Sequence, residues 1–319
     1  MNGLNVQAQA LLDAAAASGL PPVYTLPVDE ARSRMRAGFI TGEPETIEEM
    51  RDVRIPGPQG GIAARLYHPA PQEELPLVVF FHGGGWTVND LDTHDRLCAL
   101  LAESSSCAVL SVDYRRGPDV KYPGPVEDAY SAFLWAVNNA RSLGASGAAV
   151  AVAGDSSGGT LAAAVSLLAR DRNGPRITFQ LLLYPVTDYL EPVTESYVQR
   201  GKGYSLNKEF MEWSWKNYLP ETWDRNDPYL FPLRAKEFRG LPRTLILTAE
   251  FDPLRDEGVA YAASLRAAGT PVEHIHMEDQ MHGFAMQTHV IDTAREAVLE
   301  SGEKMRAALA PLHDFIQGR

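Results

Sequence analysis

Ala149-Val150-Ala151-Val152-Ala153 runs straight into Gly154-Asp155-Ser156-Ser157-Gly158, and an Ala-rich stretch opens at Gly159 without a break. A short apolar run, a turn flanked by glycines and a helical composition read as strand, tight turn and helix. The pentapeptide is Gly-x-Ser-x-Gly. Such a turn holds its serine in a strained backbone and lifts the hydroxyl above the sheet, beside a helix N-terminus that favours developing negative charge. A bare pentapeptide of this kind is also a common strand–helix connection, so it is the flanking elements that make Ser156 the candidate nucleophile. Ser157 stands in the second x position, where its backbone N–H is the useful group.

Working outward, apolar runs at Leu77–Phe81, Ala108–Val112, Phe179–Tyr184, Thr244–Ala249 and Val272–Met277 alternate with helical patterns such as Val126–Arg141 and Gly159–Asp171. Continuous rather than alternating hydrophobicity suits parallel strands covered on both faces. Ahead of them, Val53 and Ile55, then Ile62, Ala64 and Leu66, alternate with polar residues around Pro56–Gly61, a hairpin signal. The fold class is α/β, with a mostly parallel central sheet and helices on both faces.

Two segments break the rhythm. Leu4, Ala8, Leu11 and Ala15 recur at helical spacing before Gly19, and a second helix is expected over Asp29–Ala37, with Arg32, Arg34 and Arg36 as a solvated face. Between Asp188 and Asp227 lies an aromatic-rich stretch, with a helix over Lys208–Leu219 capped by Asn207 or Ser205. The expected division is cap helices at 1–47, core at 48–187, a cap insertion at 188–228, and core again at 229–319.

His82-Gly83-Gly84-Gly85-Trp86 follows the strand ending at Phe81. Consecutive glycines let backbone N–H groups approach a developing oxyanion without a Cβ in the way, and one such donor is worth about 3–4 kcal/mol in the transition state. The donors are assigned to Gly83, Gly84 and Ser157. A phosphate loop is disfavoured, because neither Gly-x-Gly-x-x-Gly spacing nor a Gly-Lys-Ser/Thr ending is present. His82, as first residue of the loop, is read as holding the turn.

A serine needs a base, and the base needs an orienting acid. In this kind of sheet they follow late strands in the order acid, then histidine. Asp252 sits where the strand Thr244–Ala249 gives way to a loop; Glu250 is still on the strand end, and Asp256 and Glu257 fit the start of the next helix. His274 and His276 alternate within the last strand, whereas His282 lies in the loop beyond it, placed to reach Ser156. Trp86, Trp213 and Phe284 are the candidate pocket residues. The histidines lack His-Glu-x-x-His spacing and the cysteines lack Cys-x-x-Cys spacing, so no metal and no cofactor are expected.

With 319 residues, 45% hydrophobic and 22% charged, the chain can bury a sizeable core. Its net charge of -12 repels phosphate backbones and anionic lipid surfaces, so nucleic acid is excluded as a partner. No apolar run approaches the roughly 18–20 residues of a membrane span, and residues 1–19 lack a signal peptide's basic and continuously apolar regions. Cys98 and Cys107 read as two buried free thiols, which fits a reducing cytoplasm.

Taken together, the motifs resemble the hormone-sensitive-lipase-like branch of the α/β-hydrolases, the bacterial family IV carboxylesterases. The resemblance runs through His82-Gly83-Gly84-Gly85-Trp86, Asp113-Tyr114-Arg115, Val126-Glu127-Asp128-Ala129, Gly154-Asp155-Ser156-Ser157-Gly158-Gly159, Leu183-Tyr184-Pro185, Asp227-Pro228-Tyr229 and Asp252-Pro253-Leu254-Arg255-Asp256-Glu257-Gly258. It implies Ser156, Asp252 and His282 as a catalytic triad, Gly83, Gly84 and Ser157 as oxyanion donors, and a cap over the site. It also implies a small-molecule ester substrate of short to medium acyl chain and an acyl-enzyme intermediate; homodimers are common in the family. Two positions depart from the pattern: Ser157 replaces the usual alanine, and Arg116-Gly117-Pro118-Asp119 replaces the usual Leu-Ala-Pro-Glu. Amides, formamides and sugar acetates stay open as alternative substrates of the same triad. A non-catalytic receptor-like binding module is disfavoured because His282 is present.

Overall fold

The computed structural model describes residues 3–40, 45–57 and 60–317, without the side chains from 311 onward. Its centre is one eight-stranded sheet with the order β1-β2-β4-β3-β5-β6-β7-β8. The strands are β1 (Glu49–Ile55), β2 (Ile62–His68), β3 (Leu75–Phe81), β4 (Ala108–Asp113), β5 (Ala145–Asp155), β6 (Phe179–Leu183), β7 (Arg243–Phe251) and β8 (Val272–Met281). β1 and β2 form the expected antiparallel hairpin, Ile55 opposite Ile62; Pro58 and Gln59, at its turn, lie outside the described residues. β2 pairs antiparallel with β4, and every pairing from β4 through β8 is parallel.

The continuous apolar runs have the consequence they predict. All seven residues of β3 and all five of β6 are buried, because both faces of the sheet are covered. On one face pack α4 (Gly124–Asn138), α5 (Ser157–Asp171) and α8 (Arg255–Ala267), through Phe133, Leu161 and Tyr261 among others. On the other lie α3 (Leu91–Ser105) and α9 (Asp292–Gln317), through Leu97, Leu101, Val298 and Met305. Cys98 and Cys107 are both buried there as free thiols. Truncating one of the large buried side chains, Phe133 for example, removes about 3–5 kcal/mol of stability. Among the described residues no helix is long and apolar enough to cross a membrane.

Above the C-terminal ends of the parallel strands sit α1 (Val6–Ala17) and α2 (Val28–Phe39), with α6 (Glu195–Arg200) and α7 (Lys208–Tyr218) from the stretch between β6 and β7. Asn5 caps α1, accepting from the N–H of Gln7 and Ala8; Asn207 caps α7, accepting from Phe210 N–H at 2.8 Å. Polar contacts join the segment between β6 and β7 to the strand ends and α8. Ser196 at the start of α6 donates its hydroxyl to Pro253 O at 2.6 Å and its N–H to Asp256 at 2.7 Å, while Arg200 at its end pairs with Glu250 at 2.8 Å.

The arginine row of α2 is not a uniformly solvated face. Arg32 donates to Thr87 O at 3.0 Å and Gly117 O at 2.9 Å and pairs with Asp119 at 2.8 Å. It thereby clamps α2 to the loop after β3, using the unusual Arg116–Asp119 segment. Arg36 pairs with Asp90 and Asp92. Ala31 is fully buried and Phe39 packs against the core, and these ion pairs and carbonyl contacts add to the anchoring of α2.

Candidate active site

Ser156 occupies the turn between β5 and α5 with φ +52° and ψ -122°, a backbone that L-residues rarely adopt. Close packing enforces it. A side chain at Gly154 or Gly158 would run into the carbonyl of Phe81, and one at Gly159 would come within 2.9 Å of Pro185. Ser156 N–H donates to Leu183 O at 2.8 Å, pinning the turn to the neighbouring strand.

His282 follows the last residue of β8, which extends past the expected Met277 to Met281. Its Nε2 stands 2.9 Å from Ser156 Oγ, and its Nδ1 2.8 Å from Asp252 Oδ2. Asp252 is buried at the end of β7, and its other oxygen accepts Leu254 N–H at 2.8 Å. With Nδ1–H committed to the carboxylate, Nε2 is left as the acceptor facing the serine.

The rival acids are engaged elsewhere. Glu250 sits among Arg200, Arg255 and His276, at 2.8, 2.9 and 3.2 Å. Asp256 and Glu257 open α8 as expected; Glu257 accepts Thr187 N–H at 2.7 Å, and burial pushes its carboxyl well above the usual range. His274 and His276 share the hydroxyl of Thr248 at 2.8 and 2.9 Å, as hydrogen-bonded strand residues.

His82 is fully buried, bonded through Nδ1 to Gly83 O at 2.8 Å and stacked on Tyr114 at 4.4 Å. Burial holds its pKa below the usual imidazole range. Tyr114 donates its phenol to His82 O at 2.7 Å, so the ring and the loop hold each other.

The glycine loop corrects one assignment. Gly83 N–H donates to Asp155 Oδ1 at 2.8 Å, and that carboxylate also meets His94 Nε2 at 3.0 Å. Burial alone would raise the Asp155 pKa, but the His94 imidazole and the Gly83 amide outweigh it and keep the group below the ordinary carboxylate range. A spent amide is no oxyanion donor. Among the described residues the N–H groups of Gly84, Gly85 and Ser157 have no hydrogen-bond acceptor, and Gly84 and Gly85, at φ +112° and +59°, line the cavity above Ser156. Gly85, one place beyond the two glycines expected from the motif, is therefore the second loop amide left free beside Ser156.

That cavity has a volume of about 570 Å³ and reaches from Ser156 and His282 to α2 and α7. None of the three expected pocket aromatics lines it. Trp86 is fully buried, stacked on Tyr218 at 4.3 Å; Phe284 is fully buried beside Tyr184 at 5.2 Å; Trp213 lies behind Phe210 at 5.6 Å. The wall is instead Leu206, Phe210 and Met211 from the insertion, Met286 from the core, and Tyr24, Met35 and Phe39 from the N-terminal segment. The apolar surface exposed in it far exceeds the polar surface, as suits an acyl chain.

A serine hydrogen-bonded to an imidazole, itself held by a buried carboxylate at the strand ends of such a sheet, defines the site of an α/β serine hydrolase. Residues 78–286 match the family described as the alpha/beta hydrolase fold. Carboxylic ester hydrolase LipN of Mycobacterium tuberculosis is 47% identical over 76% of this chain, which spans 65% of LipN. Carboxylesterase NlhH of the same organism is 36% identical over 90% of both chains. A hyperthermophilic esterase from Pyrobaculum calidifontis superposes with a TM-score of 0.91 at 35% identity, covering 96% of this chain and 99% of the other. The chain belongs to the α/β-hydrolase fold family.

Proposed function

We propose that this serine carboxylester hydrolase, of the hormone-sensitive-lipase-like branch, cleaves esters of short- to medium-chain acids with Ser156 as nucleophile, His282 as base and Asp252 as orienting acid. The observation that carries the reading is the unbroken chain Ser156 Oγ, His282, Asp252 at 2.9 and 2.8 Å, opening into a mainly apolar cavity.

Ser156 Oγ attacks the ester carbonyl carbon as its proton passes to His282 Nε2. Negative charge collects on the carbonyl oxygen, which the N–H groups of Gly84, Gly85 and Ser157 receive. The imidazolium, held by Asp252, returns its proton to the departing alcohol as the carbon–oxygen bond breaks. Water then repeats the sequence on the acyl-enzyme and frees the acid. The N-terminal residues 1–47 and the insertion 188–228 form the cap that sizes the substrate; residues 1–2 and 41–44 within it lie outside the described residues. Two free buried thiols support a cytoplasmic setting.

A series of p-nitrophenyl esters tests the substrate class. Turnover is highest from acetate to hexanoate and falls for laurate. A maximum at laurate, or faster cleavage of p-nitroanilides than of matched esters, overturns it.

A further inference from the structure

Arg34, on α2, is the one arginine or lysine among the described residues that lines the cavity above Ser156. It has no carboxylate within ion-pair distance among those residues, unlike its helix neighbours Arg32 and Arg36, which are both paired. Its Nη2 donates to Pro21 O, and among the described residues Nε and Nη1 have no acceptor. Among the described lining residues the one carboxylate, Asp155, is engaged by His94 Nε2 and the Gly83 amide, at 3.0 and 2.8 Å from its Oδ1. The rest of the lining is mostly apolar, with neutral polar groups at Ser205, Asn207 and Asn89.

An unpaired guanidinium on the wall of an apolar cavity provides the attraction for an anion that a chain of net charge -12 otherwise repels. A planar fork of N–H donors matches a carboxylate's two oxygens. Resting on the esterase reading above, we infer that Arg34 selects esters that carry a second, free carboxylate, such as half-esters of dicarboxylic acids or acyl esters of hydroxy acids. The carboxylate sits against Arg34 while the ester carbonyl lies at Ser156.

The test compares wild type, Arg34→Gln and Arg34→Lys on two matched pairs. Mono-p-nitrophenyl glutarate against p-nitrophenyl butyrate places the charge on the acyl side; 4-acetoxybenzoate against its methyl ester places it on the leaving group. Arg34→Gln raises KM for the anionic member of at least one pair by about three- to tenfold, leaves the neutral esters within twofold, and Arg34→Lys retains part of the preference. In wild type the same preference declines from low to high salt, because added ions screen the attraction. Equal effects of Arg34→Gln on charged and neutral members of both pairs, or a salt-insensitive preference, overturn the inference. Inactivity of wild type on every neutral ester instead overturns the esterase reading itself.

Discussion

The hydroxyl of Ser157 accepts the backbone N–H of Trp86 at 3.2 Å, tying the glycine loop after β3 to the first residue of α5. Two of the free amides above Ser156 belong to that loop and the third to Ser157 itself. Alanine at 157 keeps its amide but leaves the buried Trp86 N–H without an acceptor, at a cost of about 1–3 kcal/mol in stability. Ser157→Ala is therefore expected to lower kcat about three- to tenfold with KM nearly unchanged, and to lower Tm. Steady-state kinetics on p-nitrophenyl acetate with a thermal melt check it; unchanged kcat and Tm would show that the bond does not position the loop.

His282 and His82 should fail in different ways. Without the base, His282→Ala loses turnover by a factor on the order of 10⁴ while melting like wild type. Removing the buried, stacked ring in His82→Ala costs about 2–4 kcal/mol of stability and leaves much more activity at temperatures where the variant is folded. Urea unfolding and kcat measured on both proteins separate the two roles.

Acid should weaken the fold in two stages. His82 has a pKa lowered by burial, so the unfolded chain binds a proton that the folded one refuses. Its contribution is complete above the unfolded histidine value of about 6.5 and declines as pH falls below it. Asp113 and Asp155 are lowered as well. For Asp113, burial opposes the shift, but the His82 ring 3.6 Å away and Arg116 outweigh it; for Asp155, burial is outweighed by His94 and the Gly83 amide. Their contribution is complete above about pH 4 and is lost below it. Tm measured from pH 8 to pH 3 should fall first below about 6.5 and more steeply near 4. A His82→Asn variant should shrink the first stage, to which His274 and His289, also lowered by burial, contribute; an unaltered profile in that variant would assign the stage to those two alone.

Acyl-chain selectivity should follow Phe210, not Trp213. Phe210→Ala widens the cavity and moves the optimum to longer p-nitrophenyl esters, whereas Trp213→Ala, on a ring outside the cavity wall, leaves the order of preference unchanged. A reversed pattern in the chain-length series would mean that α7 turns its other face to the substrate.

How much of this was legible in the sequence depended on whether the information was local. The strand–turn–helix around Ser156 announces itself because the turn needs glycines at 154, 158 and 159. Asp252 and His282 could be chosen because each stands where a late strand ends. Which amides of the glycine loop stay free is not legible, since it depends on Asp155, more than seventy positions away, claiming the first glycine amide. The pocket lining is illegible for a related reason. Aromatic composition says that Trp86, Trp213 and Phe284 are buried against something, but only the packing of α7 and the N-terminal helices decides which side chains face the cavity. Arg32 looked solvated because its acceptors, Thr87 O and Gly117 O, are backbone atoms without a sequence signal.

Ester hydrolysis by this chain depends most directly on Ser156 as the nucleophile. Intact-mass measurement after an organophosphate, on wild type and on Ser156→Ala, should show one adduct mapping to Ser156 in the first and none in the second. Hydrolysis of p-nitrophenyl butyrate should be lost in step. An adduct on another residue, or full activity in Ser156→Ala, would contradict it.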